Sequence, residues 1–205
     1  MALLFTRGFR RTQQLVAFTV PPLVFARNHP GWDEISVNAL VQTPSNDGTK
    51  VLLIQRSPAC SPEAPYKWEM PSGACQPSDR TILESVQRML YERTGLRARH
   101  ITSLEKSETI DDFSGHRHRR ILSLTFVVET IDHRVVLDRR AHMAYKFATR
   151  EEVMGSDIIS EDHKALIVYA FDGSHQEDAI LWLVGEGLAI LAEAVTSRGP
   201  GALPG

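Results

Sequence analysis

The chain has 205 residues, 42% apolar and 23% charged, with a formal net charge of −2. This is the make-up of one domain with appendages, and it excludes a disordered, collagenous or strongly basic chain. Nucleic acid is therefore not an expected partner. No apolar run reaches the roughly 18 residues that would cross a membrane, so no membrane association is expected. Two cysteines, Cys60 and Cys75, are too few for a disulfide scaffold and read as ordinary thiols.

Charge is uneven at the start of the chain. The first acidic residue is Asp33, and Arg7, Arg10, Arg11 and Arg27 precede it. The expected compartment is cytoplasmic, with mitochondrial import as the alternative that an acid-free, arginine-bearing start offers. Residues 1–17 read as an N-terminal tail, 18–171 as the domain, 172–196 as a C-terminal helix and 197–205 as a loose, Gly/Pro-rich end.

Within the domain the elements alternate. Residues 35–42 (ISVNALVQ) and 51–55 (VLLIQ) are β-rich and flank a polar turn containing Asn46-Asp47-Gly48, which predicts a hairpin. A loop with Pro58, Pro62 and Pro65 leads to a short strand at Trp68-Glu69-Met70-Pro71. Residues 81–94 place Ile82, Leu83, Val86 and Leu90 at helical spacing, and Gly95 ends the helix. Residues 101–110 and 121–130 read as strands, and 144–148 as a shorter one. Ser160-Glu161 opens a helix to about residue 171, and Asp178 opens a last, very apolar helix to about residue 196. Strands on both sides of a central helix, with helices at the end, predict an α/β or α+β sandwich. A terminal helix this apolar packs on the domain or meets a partner chain, which makes it a candidate homodimer interface.

The stretch from Trp68 to Leu96, WEMPSGACQPSDRTILESVQRMLYERTGL, resembles the Nudix box. Gly73 stands for the first glycine of that pattern, and Arg88, Leu90, Glu92, Gly95 and Leu96 match its later part. Gly73 and the helix are one residue further apart than the consensus. The resemblance implies a Nudix-type mixed sheet sandwiched between helices. It also implies Mg²⁺-dependent hydrolysis of a nucleoside diphosphate linked to another group, the ion being held by glutamates on one face of the box helix. It gives Gly73, Arg88 and Gly95 structural roles, the arginine pairing with a box carboxylate.

Most of the implied metal ligands are replaced. Aligned from the helix end, the first box glutamate falls on Arg80, the next on Met89, and the Glu-Glu pair reads Glu92-Arg93. The later acid that the family often supplies falls on Ala141. Asp79 restores a five-residue gap from Gly73 if the loop shifts by one residue, and Glu84 reads as a solvated helix ion pair. A thioether and a guanidinium do not hold a hard dication, so no metal site and no cofactor are expected, Mg²⁺ entering only with the hydrolase alternative.

The leading expectation is a Nudix fold repurposed for metal-independent chemistry on a small organic molecule, such as a cyclisation, isomerisation or dehydration in a biosynthetic pathway. The alternatives are a Mg²⁺-dependent Nudix hydrolase and a non-catalytic binding module. Glu92, expected to be buried beside Met89, is the candidate general acid or base, with His116 and His118 of the segment GHRHRR as partners. Trp68, Met89, Arg93, His142 and Tyr145 are the candidate substrate contacts.

Overall fold

The computed structural model describes residues 15–46, 48–59, 64–113, 118–159 and 161–172. Seven strands form one mixed sheet: β1 (Glu34–Ser45), β2 (Gly48–Arg56), β3 (Trp68–Glu69), β4 (Ser72–Ala74), β5 (Ala98–Asp112), β6 (Arg119–Thr130) and β7 (His142–Ala148). The main path runs β3-β2-β1-β6-β5, with β4 pairing on β1 and β7 on β2. β1 runs parallel to β6, from Glu34 opposite Ile121 to Val41 opposite Val128, and turns back into β2 at Ser45 opposite Gly48. Gly48 adopts φ 111°, a conformation open to glycine, which lets the turn close.

Among the described residues these helices flank the sheet: α1 (Pro22–Asn28), α2 (Ile82–Thr94), α3 (Arg150–Met154) and α4 (Glu161–Asp172). α2 is the predicted box helix. Thr81 caps it by accepting the Glu84 amide, and Gly95 ends it in the left-handed region at φ 68°. Ile82, Val86, Met89 and Leu90 are buried, whereas Leu83 is only half-buried.

Alternation along the strands divides the core into two layers. Leu40, Val51, Leu53, Met70 and Ala148 pack against Val153, Leu166 and Ile167 of α3 and α4. Ala39, Leu52 and Ile54 face the other way. Phe126, in register with Ala39, meets Phe18 edge to face at 5.2 Å on that second face. Phe18 and Phe25 are each 2% exposed. The backbone carbonyls of Val20 and Phe18 accept the first amides of α2, from Ile82 at 3.1 Å and Leu83 at 3.3 Å. The amino-terminal segment thus seats the box helix on its own side of the sheet.

Three elements went unread in the sequence. α1 spans only 7 residues, too few for a periodic signal. β4 spans 3 residues. α3 opens on Thr149 with a full capping box to Glu152, a Thr-x-x-Glu signal legible in the sequence. The apolar helix expected after Asp178 lies outside the described residues.

Candidate functional site

The box loop and box helix are tied together by Arg88. Its Nε and Nη2 donate to the two oxygens of Asp79 at 2.8 and 2.9 Å, Nη2 reaches the Ala74 carbonyl at 3.0 Å, and Nη1 reaches Glu92 at 2.9 Å. Asp79 also accepts from Ser85 Oγ at 2.6 Å and from the Gln76 amide at 2.8 Å. The Arg88 guanidinium, with the Ser85 and Gln76 bonds outweighing the opposing effect of burial, holds the Asp79 carboxyl at about 2. The alignment of the first box acid with Arg80 is therefore corrected. Asp79 takes that place, and the extra residue is absorbed in the turn between Asp79 and the helix. Arg80 instead points outward and pairs with Glu84 at 2.9 Å.

Met89 is 1% exposed. A Cβ added to Gly73 would stand 3.0 Å from Met89 Cγ and 4.0 Å from Arg93 Nη2. The glycine is thus required by the helix face packed on it. Glu92 is not buried beside Met89 as expected: its side chain is half exposed and lies one turn from Arg88, to which it is bonded. Its Oε1 has no partner among the described residues.

The donor set at this face is a thioether, a guanidinium and one carboxylate already engaged by Arg88. This set does not fit Mg²⁺, which demands several hard oxygen ligands in near-octahedral array.

A second polar cluster shares the α2 side of the sheet. Glu69 pairs in register with Ile54 and Arg56 with His142, which puts Arg56, Glu69 and His142 on the face opposite Leu53. Arg56 Nε donates to Glu69 Oε2 at 2.6 Å, and His142 Nε2 stands 3.4 Å from Glu69 Oε1. Burial pushes the Glu69 carboxyl up, but the hydrogen bonds from His142 and Arg56 outweigh it and leave it below the ordinary carboxylate range. Among the described residues His142 Nδ1 is buried without a hydrogen-bond partner. Sequence reasoning named His142 but missed Arg56 and Glu69.

Tyr145 faces the same side, in register with Ile54. It lines an open cleft of about 420 Å³ with Val135, Val136, Leu137, Arg139 and Met143. The loop that forms this cleft docks on the end of the box helix: the Val136 amide donates to the Thr94 carbonyl at 2.8 Å and the Asp138 amide to the Arg93 carbonyl at 3.3 Å. Cys75 is no nucleophile here, since burial pushes its thiol up to about 11.

Two candidates lie elsewhere. Trp68 sits in register with Gln55 and packs on the α3/α4 layer, its ring 5.0 Å from Lys146 Nζ. It is on the opposite face of the sheet from Met89. His118 lies at the tip of the β5–β6 hairpin, where it pairs with Asp111 at 2.8 Å and stacks on Phe113 at 4.7 Å. His116 lies outside the described residues.

A family model described as NUDIX domain matches residues 34–170. The chain is similar in structure to a MutT protein from Methanosarcina mazei Go1, with 21% identity and a TM-score of 0.55, covering 69% of this chain and 96% of that one. It is also similar to the NUDIX domain of Shewanella oneidensis NrtR complexed with ADP ribose, at 19% identity and a TM-score of 0.57, covering 78% and 97% respectively. A NUDIX hydrolase from Nitrosomonas europaea matches at 17% identity and a TM-score of 0.54, covering 73% and 76%. No curated protein matches the chain. Among the described residues no helix is long and apolar enough to cross a membrane. With an Arg88-anchored box on a mixed sheet between helices, and a family model spanning residues 34–170, the chain belongs to the NUDIX family.

Proposed function

We propose that this NUDIX domain acts on a small organic molecule without a divalent cation held by its box, in a cyclisation, isomerisation or dehydration of the kind that biosynthetic pathways use. One observation carries the reading: the helix face that would ligate the ion is a buried Met89 packed on Gly73, and Asp79 and Glu92 are both engaged by Arg88. Substrate contacts fall to Arg93 and to Tyr145, the latter in the cleft walled by the loop of Val135 to Arg139. Glu92 Oε1 is the box oxygen left for proton transfer, and Glu92→Gln is the variant that removes it.

A second reading is a Mg²⁺-dependent hydrolase of a nucleoside diphosphate compound. Asp79 keeps the family's spacing from Gly73, and a structural neighbour was crystallised with ADP ribose.

Incubation of the full chain with ADP ribose and other nucleoside diphosphate compounds, with Mg²⁺ or Mn²⁺, separates the two. The expected result is no EDTA-sensitive phosphate release. Robust release would establish the second reading. As a converse check, Met89→Glu combined with Arg93→Glu restores two hard ligands, and titration calorimetry is expected to detect a gain in Mg²⁺ affinity over the parent chain.

A further inference from the structure

The geometry points to Arg93 as an oxyanion receptor, a fixed guanidinium that binds a phosphoryl or carboxylate group of the ligand where the family's box would place a metal ion. The inference rests on the metal-independent reading of the same site and names the chemical class of its ligand.

The charge bookkeeping of the arginines comes first. Arg56 pairs with Glu69, Arg80 with Glu84, Arg88 with Asp79, and Arg119 with Asp112. Arg93 is half-buried, yet among the described residues its side chain has neither a hydrogen bond nor an ion pair. A position in the last turn of α2 suits a cation, because the helix dipole is negative there. The last carbonyls of Arg93 and Thr94 accept the Asp138 and Val136 amides instead. A partly desolvated guanidinium with five donors and no acceptor is an incomplete site.

Its position supplies the rest. Nη2 stands 4.0 Å from where a Cβ on Gly73 would be. The guanidinium therefore lies beside the box loop and against the helix face of Met89, where the family's box would place the ion. A planar guanidinium matches the two oxygens of a phosphate or carboxylate bidentately, which an ammonium cannot do. The neighbouring thioether of Met89 gives no hard ligand to a dication, so the fixed positive charge is the group that an oxyanion would meet.

The test is calorimetric titration of the full chain with pyrophosphate and, separately, with succinate, both in EDTA. Binding of either is expected. A preference for pyrophosphate marks a phosphoryl ligand, and a preference for succinate marks a carboxylate. Arg93→Ala is expected to weaken the binding roughly tenfold or more, as the loss of charge-assisted hydrogen bonds does. Arg93→Lys should recover only part of it. Arg80→Ala, which removes an exposed cation on the same helix approach, should leave it unchanged.

Absence of binding by the parent chain in EDTA, or equal binding by parent and Arg93→Ala, would overturn the proposal. Far-ultraviolet circular dichroism of Arg93→Ala separates loss of the site from loss of the fold. If the variant is unfolded, Arg93→Lys alone decides, and full parental affinity in Arg93→Lys then counts against bidentate recognition. These outcomes are distinct from EDTA-sensitive hydrolysis, which would overturn the metal-independent reading instead.

Discussion

Two guanidinium clusters occupy the same side of the sheet and are built in opposite ways. Around Arg88 every partner lies between Ala74 and Glu92, so one loop and the helix that follows it complete the cluster. Around Arg56 the cluster runs through Glu69, which meets both Arg56 and His142, and three strands must be in register before it is complete. The first is a local clamp that holds the box loop and box helix in shape. The second is a product of the finished sheet. A local clamp survives an inserted residue by sliding, as Asp79 does, whereas a cluster spanning three strands depends on the pairing of β2 with β3 and β7.

The largest expected effect breaks the local clamp. Arg88→Ala strands Asp79, whose side chain is 4% exposed, as a buried charge without its partner. The expected loss is about 3 kcal/mol in a denaturant melt. A loss below about 0.5 kcal/mol would show that the box is held by other contacts.

Acid should reproduce part of that loss. The Asp79 carboxyl has an ordinary value of 3.8 and lies at about 2 in the folded chain, chiefly through Arg88. A folded-state value below the unfolded one gives stability that is present above about pH 4 and disappears as pH falls toward 2. The contribution is about 2 kcal/mol. The acid limb of a stability–pH curve should be flatter in Asp79→Asn than in the parent chain. Parallel limbs would place the acid sensitivity in other carboxylates.

Third comes the register-dependent cluster. Glu69→Gln keeps an acceptor for His142 but removes the charge opposite Arg56, which is partly exposed and can turn to water. A loss of about 1.5 kcal/mol is expected, measured by thermal and urea unfolding. A loss matching that of Arg88→Ala would erase the distinction drawn between the two clusters.

The smallest effect is expected at Arg93. With no partner to strand among the described residues, Arg93→Ala should change stability by less than about 0.5 kcal/mol. A larger loss would mean that its guanidinium supports the fold through packing.

The same contrast explains what was legible in the sequence. The box helix followed from the spacing of Ile82, Val86 and Leu90, from Thr81 and from Gly95, all signals carried within a few residues. The hairpin followed from residues 46–48. The true partner of Arg88 was harder to place, because counting back from the helix lands on Arg80 and only the turn geometry shows where the extra residue goes. Glu92 was expected to be buried from its place in the motif. The helix instead rolls so that Ile82, Ser85, Val86, Met89 and Leu90 face inward and Glu92 is left beside Arg88. Trp68 and Glu69 are adjacent in the chain and point to opposite layers. The choice between them is set by the one-residue alternation of β3 against Gln55 and Ile54, which composition does not carry.

The seating of α2 by the amino-terminal segment bears on where the folding unit begins. The family model starts at residue 34, but Phe18 and Phe25 are as buried as the central strands. A truncation to residue 34 would strip Phe18 from Phe126, remove the Phe25 ring stacked behind it and leave the Ile82 and Leu83 amides to water. Each buried phenylalanine lost is worth about 3 kcal/mol or more, a sum comparable to the whole stability of many domains. A chain trimmed just upstream of Phe18 would keep this seat intact. A cut beyond Phe25 would unseat the box helix from outside the motif.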